Sequence, residues 1–477
     1  MIFERIKTLG MAHNAYLLAS KGKGILIDPR RDVEEYVQLA RSKGVKIEYI
    51  LNTHRQEDFV LGSNQLKKLT DAKLVGGDHK LFEHCDIYLK NNEEFEIGEI
   101  KIKALHTPGH TPESMTYAVY IKDAKDCWGV FTGDALFIGE AGRTDLPDKN
   151  KTAENAELLY ESIHKKILPL GPQTLLYPAH GSGSVCGGNI AENDHSTLGL
   201  EFAYNPAFTL SKEKFVEQKV HERLPHPPYF SLMEEVNLKG GIPLESSIDS
   251  IKILTPEEFS EKSNEGIIID TRLPEAFAGA HIPKSFSIWL DGLSVFGGWV
   301  AKKDTPIYLV LENKTDLDMA YKHLTRIGMD NIKGVLTENF EKWRNAGLPI
   351  ESSGIISAKK LNEQLDQFQV VDVREVNEYE DEGHIPGSLN CYVGNLVEFI
   401  KSNKIKKPIV VTCSVGHRAS LGVSILLREG QNNVSNFLGG MTAWKKLGNP
   451  TKKGDSEKSF YYVMEHESFQ NIGLQMQ

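Results

Sequence analysis

The sequence predicts an α/β protein, with an N-terminal α/β module followed by two copies of a smaller α/β domain. Three observations point there. Strand-like runs alternate with helical stretches from the N-terminus onward. Residues 306–328 align without gaps with residues 408–430, an offset of 102. The 477 residues, at roughly 150 per domain, suggest about three domains. Hydrophobic residues make up 40% and charged residues 25%, enough to bury a sizeable core.

The same composition excludes several classes. No apolar run of the roughly 18 residues needed for a membrane span occurs, so no membrane partner is expected. The start Met1-Ile2-Phe3-Glu4-Arg5-Ile6-Lys7 lacks a long apolar stretch after a basic residue, which argues against a secretory signal and for a cytoplasmic protein. Cys85, Cys127, Cys186, Cys391 and Cys413 are odd in number and scattered, so reduced thiols are expected rather than a disulfide framework. A formal net charge of -10 disfavours nucleic acid as partner.

Residues 1–245 read as the first domain. Ile25-Leu26-Ile27-Asp28 and Tyr49-Ile50-Leu51-Asn52 are strand-like, and Val33 to Lys43 is helical. Ligand-type residues recur just after strands: His54 after Leu51-Asn52-Thr53, His110 in Thr107-Pro108-Gly109-His110-Thr111, Asp134 in Phe131-Thr132-Gly133-Asp134, and His180 after Tyr177-Pro178-Ala179. Loops at one end of a sheet bring such distant residues together, and imidazole plus carboxylate suits a borderline divalent ion. Arg143 and Asp145 follow Asp134 closely and read as pocket residues, with a structural ion pair as the alternative. Cys186, on the loop Gly183-Ser184-Val185-Cys186-Gly187-Gly188, reads as lining the substrate pocket or packing beside it. His106, Cys85, Cys127 and Cys391 read as structural. His221, His226 and their prolines read as a loop crossing into the second domain.

Residues 250–352 form the earlier copy of the repeat and 354–452 the later one, joined by the polar hinge Glu351-Ser352-Ser353-Gly354 and followed by a tail at 453–477. In the later copy Pro408 to Thr412 is a strand and Ala419 to Glu429 a helix. The six residues between them make a strand-to-helix turn around Cys413. Turn amides and the helix N-terminus stabilise an anion there, so Cys413 is expected to have a lowered pKa and to hold a thiolate or persulfide. Ser414, Val415, Gly416, His417 and Arg418 would line its substrate. In the earlier copy Leu311, Lys314 and Asp316 stand in place of Cys413, Gly416 and Arg418. That copy lacks a nucleophile and carries an acid where the arginine should be.

The Cys413 loop, with Val371-Asp372-Val373-Arg374-Glu375, Gly383-His384-Ile385-Pro386-Gly387-Ser388 and Gly439-Gly440-Met441-Thr442-Ala443-Trp444, resembles the rhodanese sulfurtransferases. By that resemblance the earlier copy is an inactive rhodanese acting as scaffold or docking surface. The N-terminal motifs resemble the metallo-β-lactamase superfamily, an αββα sandwich whose usual first motif is His-x-His-x-Asp-His. Here it reads His54-Arg55-Gln56-Glu57-Asp58-Phe59, so two ligands of a dinuclear zinc site are missing.

The surviving His54, His110 and Asp134 match the facial triad of non-haem Fe(II) oxygenases, which the persulfide dioxygenase branch uses. Similarity to that branch extends to Gly133-Asp134-Ala135-Leu136, Gly142-Arg143-Thr144-Asp145 and Pro178-Ala179-His180-Gly181. The resemblance implies one Fe(II) per chain, oxidation of a small thiol persulfide by O₂ to sulfite, and rhodanese transfer forming or using thiosulfate, as in sulfide detoxification. Two other readings stay open: a dinuclear-metal thioester hydrolase of the acyl-glutathione type, and a non-enzymatic sulfur carrier or sensor. The identity of the thiol, the direction of the rhodanese step and homo-oligomerisation are also open.

Overall fold

The computed structural model describes residues 1–78, 82, 84–122, 124–245, 247–337, 340–454 and 459–460. The tail expected at 453–477 lies for the most part outside the described residues. The chain forms two compact units: Met1–Glu245 with Thr325–Gly328, and residues 246–324 with 329 onward.

The first unit holds two six-stranded sheets whose strands follow sequence order. One runs from Ile2–Thr8 through His13–Ser20, Lys23–Ile27, Lys46–Leu51 and Lys73–Gly77 to Ile87–Leu89. The other runs from Glu94–Ile97 through Ile100–His106, Met115–Ile121, Gly129–Gly133 and Leu175–Pro178 to Ser196–Thr197. Central strands are apolar on both faces because both faces are covered. In His13–Ser20, Tyr16 and Leu18 enter the core between the sheets, where Ile25, Ile27, Phe131 and Tyr177 meet them. Ala15, Leu17 and Ala19 point the other way and pack with Tyr36, Ala40 and Leu66 of the helices Glu34–Ser42 and Ser63–Thr70. On the second sheet Val130 and Leu176 turn outward against Ala156, Leu159 and Ile163. The layers are therefore helix, sheet, sheet, helix, and each fully buried Leu or Ile contributes about 1.5–3 kcal/mol.

Loops at the ends of four strands converge. Gly129–Gly133 and Leu175–Pro178 are parallel neighbours, so the residues that follow them, Asp134 and His180, emerge side by side. Gly133 has φ of 55°, and a Cβ there would meet Thr53 Oγ1 at 2.6 Å, so only glycine lets the two sheet ends approach this closely. The amide of Met115 donates to the carbonyl of Thr53 at 2.7 Å and joins the His110 turn to the same corner. His221 and His226 do not cross into a second domain. His221 ends the helix Lys212–His221 and His226 precedes Phe230–Asn237, both inside the first unit, because the chain turns back to pack Phe230 and Met233.

The second unit repeats one design twice. Each copy is a five-stranded sheet with parallel pairing and the same strand order. Ile307–Leu311 is central in the first copy and Ile409–Thr412 in the second. Among the described residues no helix is long and apolar enough to cross a membrane.

Candidate functional site

His54, His110 and Asp134 are fully buried and close together. His54 Nε2 and His110 Nε2 each lie 3.6 Å from Asp134 Oδ2. The outer ring nitrogens are already committed. His110 Nδ1 donates to the carbonyl of Arg143 at 2.9 Å. Thr53 Oγ1 donates to Asp28 at 2.7 Å and so accepts from His54 Nδ1 at 2.9 Å. With Nδ1 so engaged, each imidazole in its neutral form would present an Nε2 lone pair inward, as a metal ligand requires. Both Nε2 atoms are buried without a hydrogen-bond partner. Two orphaned imidazole nitrogens converging on a carboxylate fit a divalent metal ion.

The charges around this corner are strongly coupled. Burial would raise the Asp134 carboxyl, but the charges of His180 and His54 and a hydrogen bond from His180 Nδ1 at 2.8 Å hold it well below the usual carboxylate range. Burial lowers His54 to about 4. Burial also works against His110, yet the Glu57 and Asp134 carboxylates outweigh it and raise that imidazole to about 9. Burial pushes Asp28, which anchors Thr53, up to about 7.

His180 stands between two carboxylates, with Nδ1 on Asp134 and Nε2 3.0 Å from Asp58 Oδ2. Asp58, His180 and Cys186 form a second buried group of ligand-type atoms beside the first. Where the usual motif would place a nitrogen, Phe59 is fully buried, its ring 4.3 Å from that of His13. Cys186 is buried against Phe137 and Ile190, and burial together with Asp58 raises its thiol far above the ordinary range. Arg143 spends its guanidinium on Asp145, twice at 2.7 Å, and on the carbonyls of Val185 and Pro225. It therefore braces the Cys186 loop. A cavity of about 560 Å³ reaches His180 past His13, Ile138 and Ile190, with Arg5 and Lys7 on its wall.

The second centre lies in the last domain. Cys413 is buried at the end of Ile409–Thr412, and the amide of Gly416 donates to its Sγ at 3.0 Å. Gly416 has φ of 114° and opens the helix His417–Arg428. A neighbouring loop braces the turn: amides of Met441 and Thr442 donate to the carbonyls of Cys413 and Ser414 at 2.8 and 3.0 Å. Val415 is exposed at the rim. Arg418 is not a free cation here. Its guanidinium makes two bonds to Glu378, at 2.6 and 2.7 Å, and one to Ser414 at 2.8 Å. Burial opposes ionisation of Glu378, but the hydrogen bonds and charge of Arg418 hold its carboxyl below the ordinary range.

Sequence reasoning missed Glu57, Glu378 and Trp289. Glu57 occupies a position that the motif leaves unspecified. Glu378 lies in the short helix Val376–Glu380 and its partner Arg418 is 40 residues on, so no local spacing marks it. Trp289, in the earlier repeat, sits with its ring 5.0 Å from that of His417, a contact that no local pattern announces. His106 bonds the carbonyl of Pro112 at 2.9 Å, and Cys127 and Cys391 are buried with their thiols turned to backbone carbonyls.

A profile of the metallo-beta-lactamase superfamily matches residues 9–180, and a profile of the rhodanese-like domain matches 255–346 and 357–447. The mitochondrial persulfide dioxygenase ETHE1 of Bos taurus is 30% identical over 230 residues, covering 48% of this chain and 84% of that protein. A hydroxyacylglutathione hydrolase of Dictyostelium discoideum is 32% identical over 234 residues, covering 49% and 76%. A solved metallo-beta-lactamase from Staphylococcus aureus subsp. aureus COL superposes with a TM-score of 0.64 at 27% identity, over 71% of this chain and 99% of that one.

Proposed function

Because the chain belongs to the metallo-beta-lactamase superfamily and carries two rhodanese-like domains behind that module, we propose that it is an iron-dependent persulfide dioxygenase joined to a thiosulfate sulfurtransferase. One Fe(II) would be held by His54 Nε2, His110 Nε2 and Asp134, and would supply the oxygen chemistry that side chains lack. The first reaction is R-S-SH + O₂ + H₂O → R-SH + SO₃²⁻ + 2H⁺. The protein's part is to orient and exclude. Thr53 and the Arg143 carbonyl fix the two imidazoles, His180 fixes Asp134, and the buried surroundings keep bulk water away.

Cys413 carries the second reaction. Its thiolate takes the outer sulfur of a persulfide, Cys413-S⁻ + R-S-SH → Cys413-S-S⁻ + R-SH. Sulfite then takes that sulfur as thiosulfate and regenerates the thiolate. The Gly416 amide, which donates to Cys413 Sγ, would stabilise the thiolate. Coupling the two centres in one chain raises the local concentration of sulfite at the transferase.

The observation that supports this reading above the others is the pairing of two inward Nε2 atoms and one carboxylate with Phe59 at the position of a further nitrogen. The Asp58, His180 and Cys186 group favours the second reading, a dinuclear thioester hydrolase, as does the likeness to a hydroxyacylglutathione hydrolase. Metal counting separates them. One iron per chain with persulfide-dependent O₂ uptake, abolished in Asp134→Ala while Cys413 still accepts sulfur, is the expected result. Two tightly bound zincs with thioester hydrolysis would overturn it.

A further inference from the structure

Glu57 is a buried charge in the metal pocket that the three-residue ligand set leaves unused. It is fully buried, and neither carboxylate oxygen has a hydrogen-bond partner of good geometry. Its Oε2 lies 3.3 Å from His110 Nε2 and 3.7 Å from His54 Nε2. Those are the two nitrogens that also face Asp134, at 3.6 Å each. Ligands adjacent on an ion with bonds of about 2.1 Å sit about 3 Å apart, so Glu57 Oε2 stands near ligand-to-ligand spacing from both imidazole nitrogens. Its nearest fixed cation, the Arg55 guanidinium, is 3.9 Å away on the other oxygen.

We propose that Glu57 is a fourth protein ligand of the ion held by His54, His110 and Asp134; this rests on the reading that the site binds a metal. The argument is one of charge. Once both Nε2 lone pairs are given to a metal, neither nitrogen can offer Glu57 a proton. The Arg55 guanidinium serves only Oε1, at 3.9 Å, so the buried Oε2 would face the site without donor or cation, which is strongly disfavoured. The ion's own charge is the remaining compensation, and Asp134 and Glu57 together neutralise a divalent cation. Asp134 is already oriented by His180, whereas Glu57 has no such tether and is free to close on the metal. With four protein ligands an octahedral ion keeps two exchangeable positions instead of three.

The test uses the full chain loaded with Mn²⁺ alone, without iron or persulfide. Electron paramagnetic resonance in ¹⁷O-enriched water counts the exchangeable oxygens on the ion. Two are expected in the wild type and three in Glu57→Ala, with Mn²⁺ affinity weakened by about 10- to 100-fold. The isosteric Glu57→Gln should weaken binding by a similar factor, because the lost charge rather than the lost volume matters. The wild-type count decides even if a variant fails to fold: three waters on the bound ion overturn the role of Glu57 and leave the metal site standing. A wild-type chain that binds no Mn²⁺ overturns the site and the proposal together.

Discussion

The two rhodanese-like copies share their framework and differ in one turn. In the earlier copy Asp270 takes Arg272 in a two-pronged pair and Arg272 also bonds the carbonyl of Ala280. In the later one Asp372 takes Arg374 in the same way and Arg374 bonds the carbonyl of Gly383. His281 stacks on Phe277 with ring centroids 3.9 Å apart, and His384 on Tyr379 at 3.6 Å. Trp343 donates to the carbonyl of Pro349 and Trp444 to that of Pro450. At the turn the copies part. Leu311 replaces Cys413, Asp316 replaces Arg418, and Ala276 stands 102 positions before Glu378, so both members of the Arg418–Glu378 pair are gone together. Asp316 instead caps its own turn, accepting from the Asn313 amide at 2.9 Å. The two copies thus keep one framework residue set in common and differ in the residues of the turn.

The largest expected effect breaks the comparison at the nucleophile. Cys413→Ser should cut thiosulfate formation at least ~10³-fold, as loss of a covalent nucleophile does, while persulfide-dependent sulfite release continues. Product analysis by ion chromatography checks it, and an unchanged thiosulfate-to-sulfite ratio would remove Cys413 from the reaction.

The next effect tests the shared framework. Trp343→Ala and Trp444→Ala should each lower stability by about 3–5 kcal/mol, because each empties an equivalent fully buried indole site. Denaturant unfolding of both variants measures this. A loss confined to Trp444→Ala would mean that the earlier copy no longer depends on the design it displays.

Glu378 sharpens the contrast through pH. Its carboxyl is held below the ordinary range in the folded protein, so its contribution is present above its unfolded value of about 4.3 and is lost as pH falls through the folded value. Glu378→Gln should reduce stability at neutral pH by about 1–3 kcal/mol and flatten the acid limb of the stability curve. Parallel acid limbs in variant and wild type would show that the pair with Arg418 does not stabilise the turn.

Much of this was legible in the sequence, for identifiable reasons. His54, Asp134 and His180 follow strand-like runs, and strand ends must point into loops, so their convergence is readable once the sheet is inferred. The replaced turn of the earlier copy was readable because Leu311, Lys314 and Asp316 fall in a gapless register with the Cys413 turn. What stayed hidden depends on distance in space. The pairing of Arg418 with Glu378 stayed hidden because Glu378 lies 40 residues upstream. Of the two readings of Arg143, pocket residue or ion pair, the pair with Asp145 forms, while its bonds to Val185 and Pro225 were hidden because those residues are far along the chain. The placement of Trp289 against His417, and the hydrogen bond from the Ser287 amide to Ser424 Oγ at 3.0 Å, arise only when the two copies pack within one unit.

The smallest expected effect is none at all. Leu311→Cys should acquire no transferable sulfur, even though it restores the nucleophile at the matching strand end. A thiolate at position 311 would need an inward amide and a positive neighbour. The later copy provides the first through Gly416 in a left-handed conformation at φ of 114°, a geometry that a residue with a Cβ rarely adopts. The earlier copy has Lys314 there, opening the 3₁₀ turn Lys314–Asp316, and its Asn313 amide is already taken by Asp316. Asp316 also takes the aligned place of Arg418, so a persulfide anion would find an acid in the sequence position of the arginine. Mass spectrometry after exposure to an isotope-labelled persulfide should find label at Cys413 and none at position 311. Label at both positions would show that the nucleophile alone separates the two copies, and that the turn around Cys413 contributes nothing the earlier copy lacks.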